Sequence, residues 1–186
     1  MQTPTTERNR IADHVRTAGF SCLLCGACCS GANNEVMVAP PEIEKLIRAT
    51  GFSAEDIVEP YPEWMEDGDT RFTFGWVLRR GPDGNCIFLE QNRCRVYAHR
   101  PHICRTYPFM LNGDALIVSE CPGCIAGAKT LDAEMVTEDL IRRRTAEESE
   151  ARDTEKQYCS HQKLPCSSLV FDSTDMHIYP MQSKKF

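Results

Sequence analysis

Apolar positions recur at helical spacing in "TTERNRIADHVRTA" (residues 5–18), where Ile11, His14 and Val15 share one face and Gly19 offers a stop. The pattern predicts a short leading helix. "EVMVA" (35–39) reads as a strand, and "PPEIEKLIRATG" begins with proline in its first turn and ends at Gly51, as a helix does. Ser53 offers an N-cap to a second short helix, with Asp56 three residues on where a capping box usually carries glutamate.

From Arg71 the period shortens. "RFTFGWVLRR", "NCIFLE" and "RCRVY" read as short antiparallel strands separated by "GPDG" (81–84) and a Gln-Asn turn. "PFMLNGDALIVSE" forms a further hairpin around Asn112-Gly113. Residues 131–157 carry the longest helical pattern, with Leu131, Met135, Val136, Leu140 and Ile141 as an apolar stripe over its first half. The charged run "AEESEARDTEKQ" reads as a solvated helix face, and "SLVFDSTDMHIYPM" suggests a strand pair in the tail. The sum is an α+β fold with short antiparallel hairpins, several short helices and one longer C-terminal helix. The expected division is residues 1–130 as one domain, with 131–186 as a helix and tail packed on it.

Composition adds constraints rather than elements. With 186 residues, 41% hydrophobic and 26% charged, the chain has the make-up of a folded domain. Twenty-one basic against 27 acidic residues give a formal charge of −6, which argues against nucleic acid as a partner. No run approaches a membrane span and the first residues lack an apolar signal core, so the expectation is a cytoplasmic protein without a membrane partner.

That compartment changes the meaning of eleven cysteines, because a reducing environment disfavours disulfides and makes dense cysteine usage read as metal or redox chemistry. In "SCLLCGACCS" (21–30), Cys22, Cys25, Cys28 and Cys29 crowd one loop, with Gly26 and Ala27 supplying smallness. C-x2-C-x2-C spacing lets three thiolates converge, as in bacterial-type ferredoxins, whose run ends in a cysteine followed by proline. Here Cys121 precedes Pro122. By that analogy Cys22, Cys25, Cys28 and Cys121 form one site and Cys29, Cys86, Cys94 and Cys104 another, while other splits stay open. Adjacent side chains tend to diverge, so Cys28 and Cys29 are expected to serve two sites. Zinc competes, since Cys22-x2-Cys25 with Cys121-x2-Cys124 is a ribbon pairing. Soft thiolates admit zinc, Cu(I) and iron–sulfur clusters alike.

The run "CLLCGACC", then "CIFLEQNRCRVYAHRPHICRTYPF" (86–109), then "CPG" (121–123), resembles the YkgJ-like cysteine-cluster proteins, which carry a CxxCxxCC zinc- or iron-chelating domain. The resemblance covers about residues 20–125. It implies that Cys22, Cys25, Cys28, Cys29, Cys86, Cys94, Cys104 and Cys121 form the chelating set, holding the cofactor and stapling the fold. Cys124, Cys159 and Cys166 lie outside that pattern.

Arg100 and Arg105 flank Cys104 and would lower thiol pKa values or offset a negative cluster, or else form surface ion pairs. His99 and His102 are secondary ligand candidates, and Tyr97, Tyr107 and Phe109 read as packing residues. Glycine-rich phosphate loops and a G-x-S-x-G elbow are absent. The leading expectation is a cysteine-ligated iron–sulfur cluster, 4Fe-4S, for redox, electron transfer or metal handling with an unidentified redox or maturation protein. The alternatives are structural zinc and an accessory or catalytic part of a protein-modifying enzyme, since flagellin lysine methylases look related through a similar cysteine domain. Whether the chain is an enzyme stays open.

Overall fold

A computed structural model describes residues 4–31, 35–113, 115–161, 164 and 167–180. In chain order these form α1 (Pro4–Thr17), a 3-10 turn (Ala27–Cys29), β1 (Met37–Val38), α2 (Pro40–Thr50), α3 (Ala54–Ile57), β2 (Val58–Pro60), β3 (Met65–Asp67), β4 (Thr70–Phe74) and β5 (Trp76–Leu78). There follow β6 (Leu89–Glu90), β7 (Arg93–Cys94), a 3-10 turn (Tyr97–His99), α4 (His102–Thr106), β8 (Phe109–Asn112), β9 (Ala115–Val118), α5 (Ala133–Ser160), β10 (Ser168–Phe171) and β11 (Met176–Tyr179). The architecture is α+β. Among the described residues no helix is long and apolar enough to cross a membrane.

Two compact units emerge, each discontinuous in sequence: residues 1–34 with 80–146, and residues 35–79 with 147–186. The sequence reading instead draws a single boundary after residue 130. Two interleaved units arise because β10, far along the chain, pairs with β4.

The first unit packs α1, the β8–β9 hairpin and the start of α5 around Ile11, Val15, Phe109, Ala133 and Leu140. Phe20 meets Phe109 edge to face at 5.5 Å. Thr130 Oγ1 closes this core by donating to Val15 O at 2.7 Å while accepting from Phe20 N–H at 2.9 Å. His14, expected on the apolar face of α1, is exposed. Of the stripe expected on α5, Leu140 is buried and Val136 packs against the core, whereas Leu131 and Met135 are exposed and Ala133 and Thr137 are buried instead. Thr137 tolerates burial because its hydroxyl donates to Ala133 O at 2.7 Å.

The second unit holds two sheets. β1-β5-β2 is antiparallel throughout, and the other sheet runs β11-β10-β4-β3. "RFTFGWVLRR", expected as one strand, splits at Gly75 so that β4 and β5 serve different sheets. β10 and β11 form the strand pair expected in the tail, and β10 also pairs with β4, in parallel. Phe72, Phe74, Tyr158 and Phe171 form an aromatic cluster, with Tyr158 5.3 Å from both Phe72 and Phe171. Helix α3 starts as expected: Asp56 N–H donates to Ser53 Oγ at 3.2 Å, and Ser53 N–H donates to Asp56 Oδ2 at 3.0 Å.

Candidate metal centre

All the cysteines of the expected set lie in the first unit. The loop bearing the first four has no regular structure over residues 21–25, then winds into the Ala27–Cys29 turn. Gly26 enters that turn at φ 74°, a left-handed value that favours glycine. A Cβ at Gly26 would stand 2.6 Å from Asn92 O and 2.9 Å from Leu89 Cδ1, so the loop rests directly on the β6–β7 hairpin. Gln91 and Asn92 turn that hairpin with φ 48° and 60°, as a tight two-residue connection requires. Cys94, on β7, is thereby carried to the cysteine loop. Cys86 arrives by a different route: its N–H donates to Cys29 O at 2.8 Å, and Leu89 N–H donates back to Cys86 O at 2.9 Å.

These contacts bring four sulfurs together. Cys28 Sγ and Cys29 Sγ lie 4.0 Å apart, contrary to the expected divergence of adjacent side chains. The tight turn, rather than an extended strand, accounts for the difference. Cys29 is also within thiol hydrogen-bonding reach of Cys86 and Cys94, which makes it the centre of the group. Cys29 and Cys86 are buried, and Cys28 and Cys94 are half-buried.

The electrostatics follow from this packing. The Cys29 thiol, sharing its proton with three neighbours, is held far above the usual thiol value, by Cys28 first and then Cys86 and Cys94. Hydrogen bonding from Cys29 lowers Cys28 to about 6 and Cys94 to about 7, with the Arg100 guanidinium assisting both against the cost of burial. Cys86 is lowered too, chiefly by Cys29. Cys29 is thus the thiol of the four that keeps its proton most firmly, and its three neighbours are the ones its hydrogen bonding lowers.

Arg100 is fixed for its task. Its Nε donates to Tyr97 O at 3.0 Å and its Nη1 to Cys104 O at 3.4 Å, while the guanidinium lies 3.7 Å from the Tyr97 ring centroid. Arg105 does something else: its Nη2 donates to both Asp139 oxygens at 3.0 and 2.9 Å, joining α4 to α5. Arg143 Nη1 adds a bond to Thr106 Oγ1 at 3.1 Å. Held in this way, α4 sets Cys104 beside Cys86, Cys28 and Cys94, where burial first and those neighbours second push its thiol up to about 12.

The remaining sulfurs sit elsewhere. The Cys121 thiol is raised by burial and by the charges of Cys124, Cys25 and Cys28, against the Gly123 N–H that lowers it. Cys22 is exposed, within hydrogen-bonding reach of the Tyr97 hydroxyl. His99 is exposed. Phe109 is core as expected, whereas Tyr97 is exposed and the Tyr107 hydroxyl donates to Glu120 O. Cys159 is exposed on α5, and Cys166 lies outside the described residues.

As placed, the thiols pack on one another rather than around a point: among the described residues, no three His, Cys, Asp or Glu side chains stand in metal-binding geometry. The donor set nevertheless suits a soft ion. A tetrahedral ion with sulfur bonds of about 2.3 Å separates its ligands by about 3.8 Å, close to the 4.0 Å between Cys28 and Cys29.

Comparison with known proteins agrees with that donor chemistry. Uncharacterized protein MJ0661 of Methanocaldococcus jannaschii is 24% identical over 99 residues, 52% of this chain and 48% of that protein. The chain therefore spans about half the length of this curated relative. No solved structure matches it significantly. Residues 21–124, from the cysteine loop to Cys124, match the model of the metal-chelating family described as "CxxCxxCC: Putative zinc- or iron-chelating domain", and the chain belongs to that family.

Proposed function

We propose that the chain holds a single zinc ion through Cys28, Cys29, Cys86 and Cys94, and that the ion ties the cysteine segments of the first unit together. The observation that carries this reading is the 4.0 Å between the Cys28 and Cys29 sulfurs. Both sulfurs can ligate one tetrahedral ion after a contraction of about 0.2 Å, taking the ligand spacing as about 3.8 Å. A cubane cluster interposes several iron atoms and spreads its ligating sulfurs wider, so the doubled cysteine favours a single ion over the 4Fe-4S cluster expected from spacing alone. Zinc suits an all-thiolate tetrahedral site.

When bound, zinc would supply a divalent charge and four directed bonds without redox chemistry. The chain's own residues do the rest. Arg100 offsets the excess negative charge of four thiolates, and the Cys86 N–H to Cys29 O bond keeps two ligand segments in register. Cys104 stands behind them as a protonated thiol. On this reading the protein handles metal in a reducing compartment, and the charge of −6 supports neither nucleic acid nor an anionic membrane surface as a partner.

The test is anaerobic purification, chelator washing, and metal and sulfide analysis. The expected product is colourless, retains one zinc per chain and contains no acid-labile sulfide, and Cys29→Ser loses that zinc. A brown preparation with labile sulfide, or one whose zinc survives Cys29→Ser, overturns the reading.

A further inference from the structure

Two charged residues are buried on one face of α5: Asp139 and Arg143, one helical turn apart and each 8% exposed. Each takes a neighbouring residue of α4. Both Asp139 oxygens accept from Arg105 Nη2, at 3.0 and 2.9 Å, and Arg143 Nη1 donates to Thr106 Oγ1 at 3.1 Å. Thr106 is fully buried, and its hydroxyl donates in turn to His102 O at 3.1 Å, so the contact reaches the first residue of α4.

Burying charge gains little stability, because desolvation offsets the attraction within the pair; what a buried pair supplies is one fixed arrangement. α4 needs fixing. It is five residues long, a single turn that does not hold itself in water; its start at Pro101 has no side-chain cap, and Thr106 is the residue it buries. Cys104 lies at its centre, and Arg100, just before its first turn, donates from Nη1 to Cys104 O at 3.4 Å. Arg100 is also the guanidinium that acts on Cys28 and Cys94.

We infer that Asp139 is a positioning residue for the proposed metal centre: through Arg105 it latches α4, and with it Arg100 and Cys104, beside the four sulfurs, and so sets how fast a bound ion exchanges. The inference rests on the proposed function for the ion and on the α4–α5 contacts for the latch. Because Thr106 is the residue α4 buries, opening the latch exposes little apolar surface, and α4 can lift while the rest of the unit stays folded. A lid of this kind changes the entry and the departure of the ion together and leaves the number bound unchanged.

The test compares the zinc-loaded full chain with Asp139→Ala, Arg105→Gln, the double variant and Asp139→Glu. Arg105 has a side chain 35% exposed, so Arg105→Gln approaches the contact from its wetter side and serves if Asp139→Ala does not fold. The Arg105 and Tyr107 amides, bonded to Pro101 O and Ile103 O, report α4 by hydrogen exchange. In both single variants their protection should fall about tenfold, Cys104 should alkylate about tenfold faster, and zinc should pass to a competing chelator about tenfold faster, as expected for loss of one charge-assisted hydrogen bond. Zinc per chain in the absence of chelator should match wild type. Asp139→Glu, which keeps the carboxylate, should recover much of the wild-type rate, and the double variant should be no faster than the faster single one, since both remove the same contact. Unchanged α4 protection and zinc release in both single variants overturns the latch, as does a double variant in which the two effects add. Loss of protection in α1 equal to that in α4 also overturns it, since Asp139 would then hold the whole unit. Exchange and alkylation are read without the ion, so a chain that holds no zinc refutes the proposed function while α4 still decides the latch.

Discussion

The two units are stabilised by different chemistry. In the second, four aromatic rings from β4, β10 and α5 pack at centroid distances of 5.3–6.3 Å, and the strands around them are bonded in register. In the first, an apolar cluster forms where α1, β8 and α5 meet, and the cysteine segments beside it bury Phe88 and Val96 but expose Leu23 and Leu24. On the proposed function, the difference teaches where a metal would add to stability: among the cysteine segments of the first unit, and not where the aromatic packing of the second already suffices.

Metal removal should break this symmetry most strongly. Structural zinc contributes roughly 10–16 kcal/mol in small metal-folded peptides, so chelation under reducing conditions should abolish amide-exchange protection at residues 26–29 and 86–96. Protection of residues 168–171 should persist. Equal loss in both places would erase the comparison.

The converse change is Phe171→Ala. Removing a ring that is fully buried should cost about 3–5 kcal/mol in urea unfolding of the second unit, with bound zinc per chain unchanged. A variant that lost zinc in step with stability would show that the units do not differ as described.

Gly26→Ala should cost about 1–3 kcal/mol from the left-handed backbone, and more if Asn92 O cannot yield. Its signature is weaker zinc retention in a chelator competition, with the exchange protection of residues 168–171 intact. Retention equal to that of wild type would mean the loop does not rest on the β6–β7 hairpin.

The smallest effect concerns pH and belongs to the second unit. Asp172 is buried, which opposes its ionisation, but bonds from His177, Thr174 and Trp76 outweigh burial and hold its carboxyl well below the usual range. His177 is raised, chiefly by Asp172. The aspartate's contribution is present above its unfolded value of about 3.9 and lost as pH falls through the lower folded one. The histidine's contribution is full below about 6.5 and lost as pH rises through its higher folded value. The contribution of the Asp172–His177 pair should therefore be flat between about pH 4 and 6.5 and decline outside that range, and His177→Gln should remove its alkaline decline. An unchanged alkaline limb in that variant would sink the assignment.

Much of the fold was legible because periodicity and turn chemistry are local. The Ser53 cap, the Asn112-Gly113 hairpin and the long helix all announce themselves within a few residues. What stayed hidden depends on partners far away. The parallel pairing of β10 with β4 has no local signal. The buried face of α5 was legible at Val136 and Leu140 but not at Ala133 and Thr137, which are small and carry little hydrophobic signature, whereas exposed Leu131 and Met135 carry much. In the site, spacing correctly marked a cysteine-rich chelating segment, but it could not say that Cys28 and Cys29 stay together, or that Arg105 turns away to Asp139. A single turn residue's φ decides the first, and a carboxylate on a distant helix the second.

The bond from Cys86 N–H to Cys29 O has a consequence in time as well as in space. Every thiol of the proposed buried site has been synthesised once residue 94 leaves the ribosome, while the four-stranded sheet must wait for residues 168–171. A nascent chain thus holds a complete set of ligands before its second unit can finish folding. The supply of metal during translation, rather than after release, would then set how much of the chain escapes misfolding.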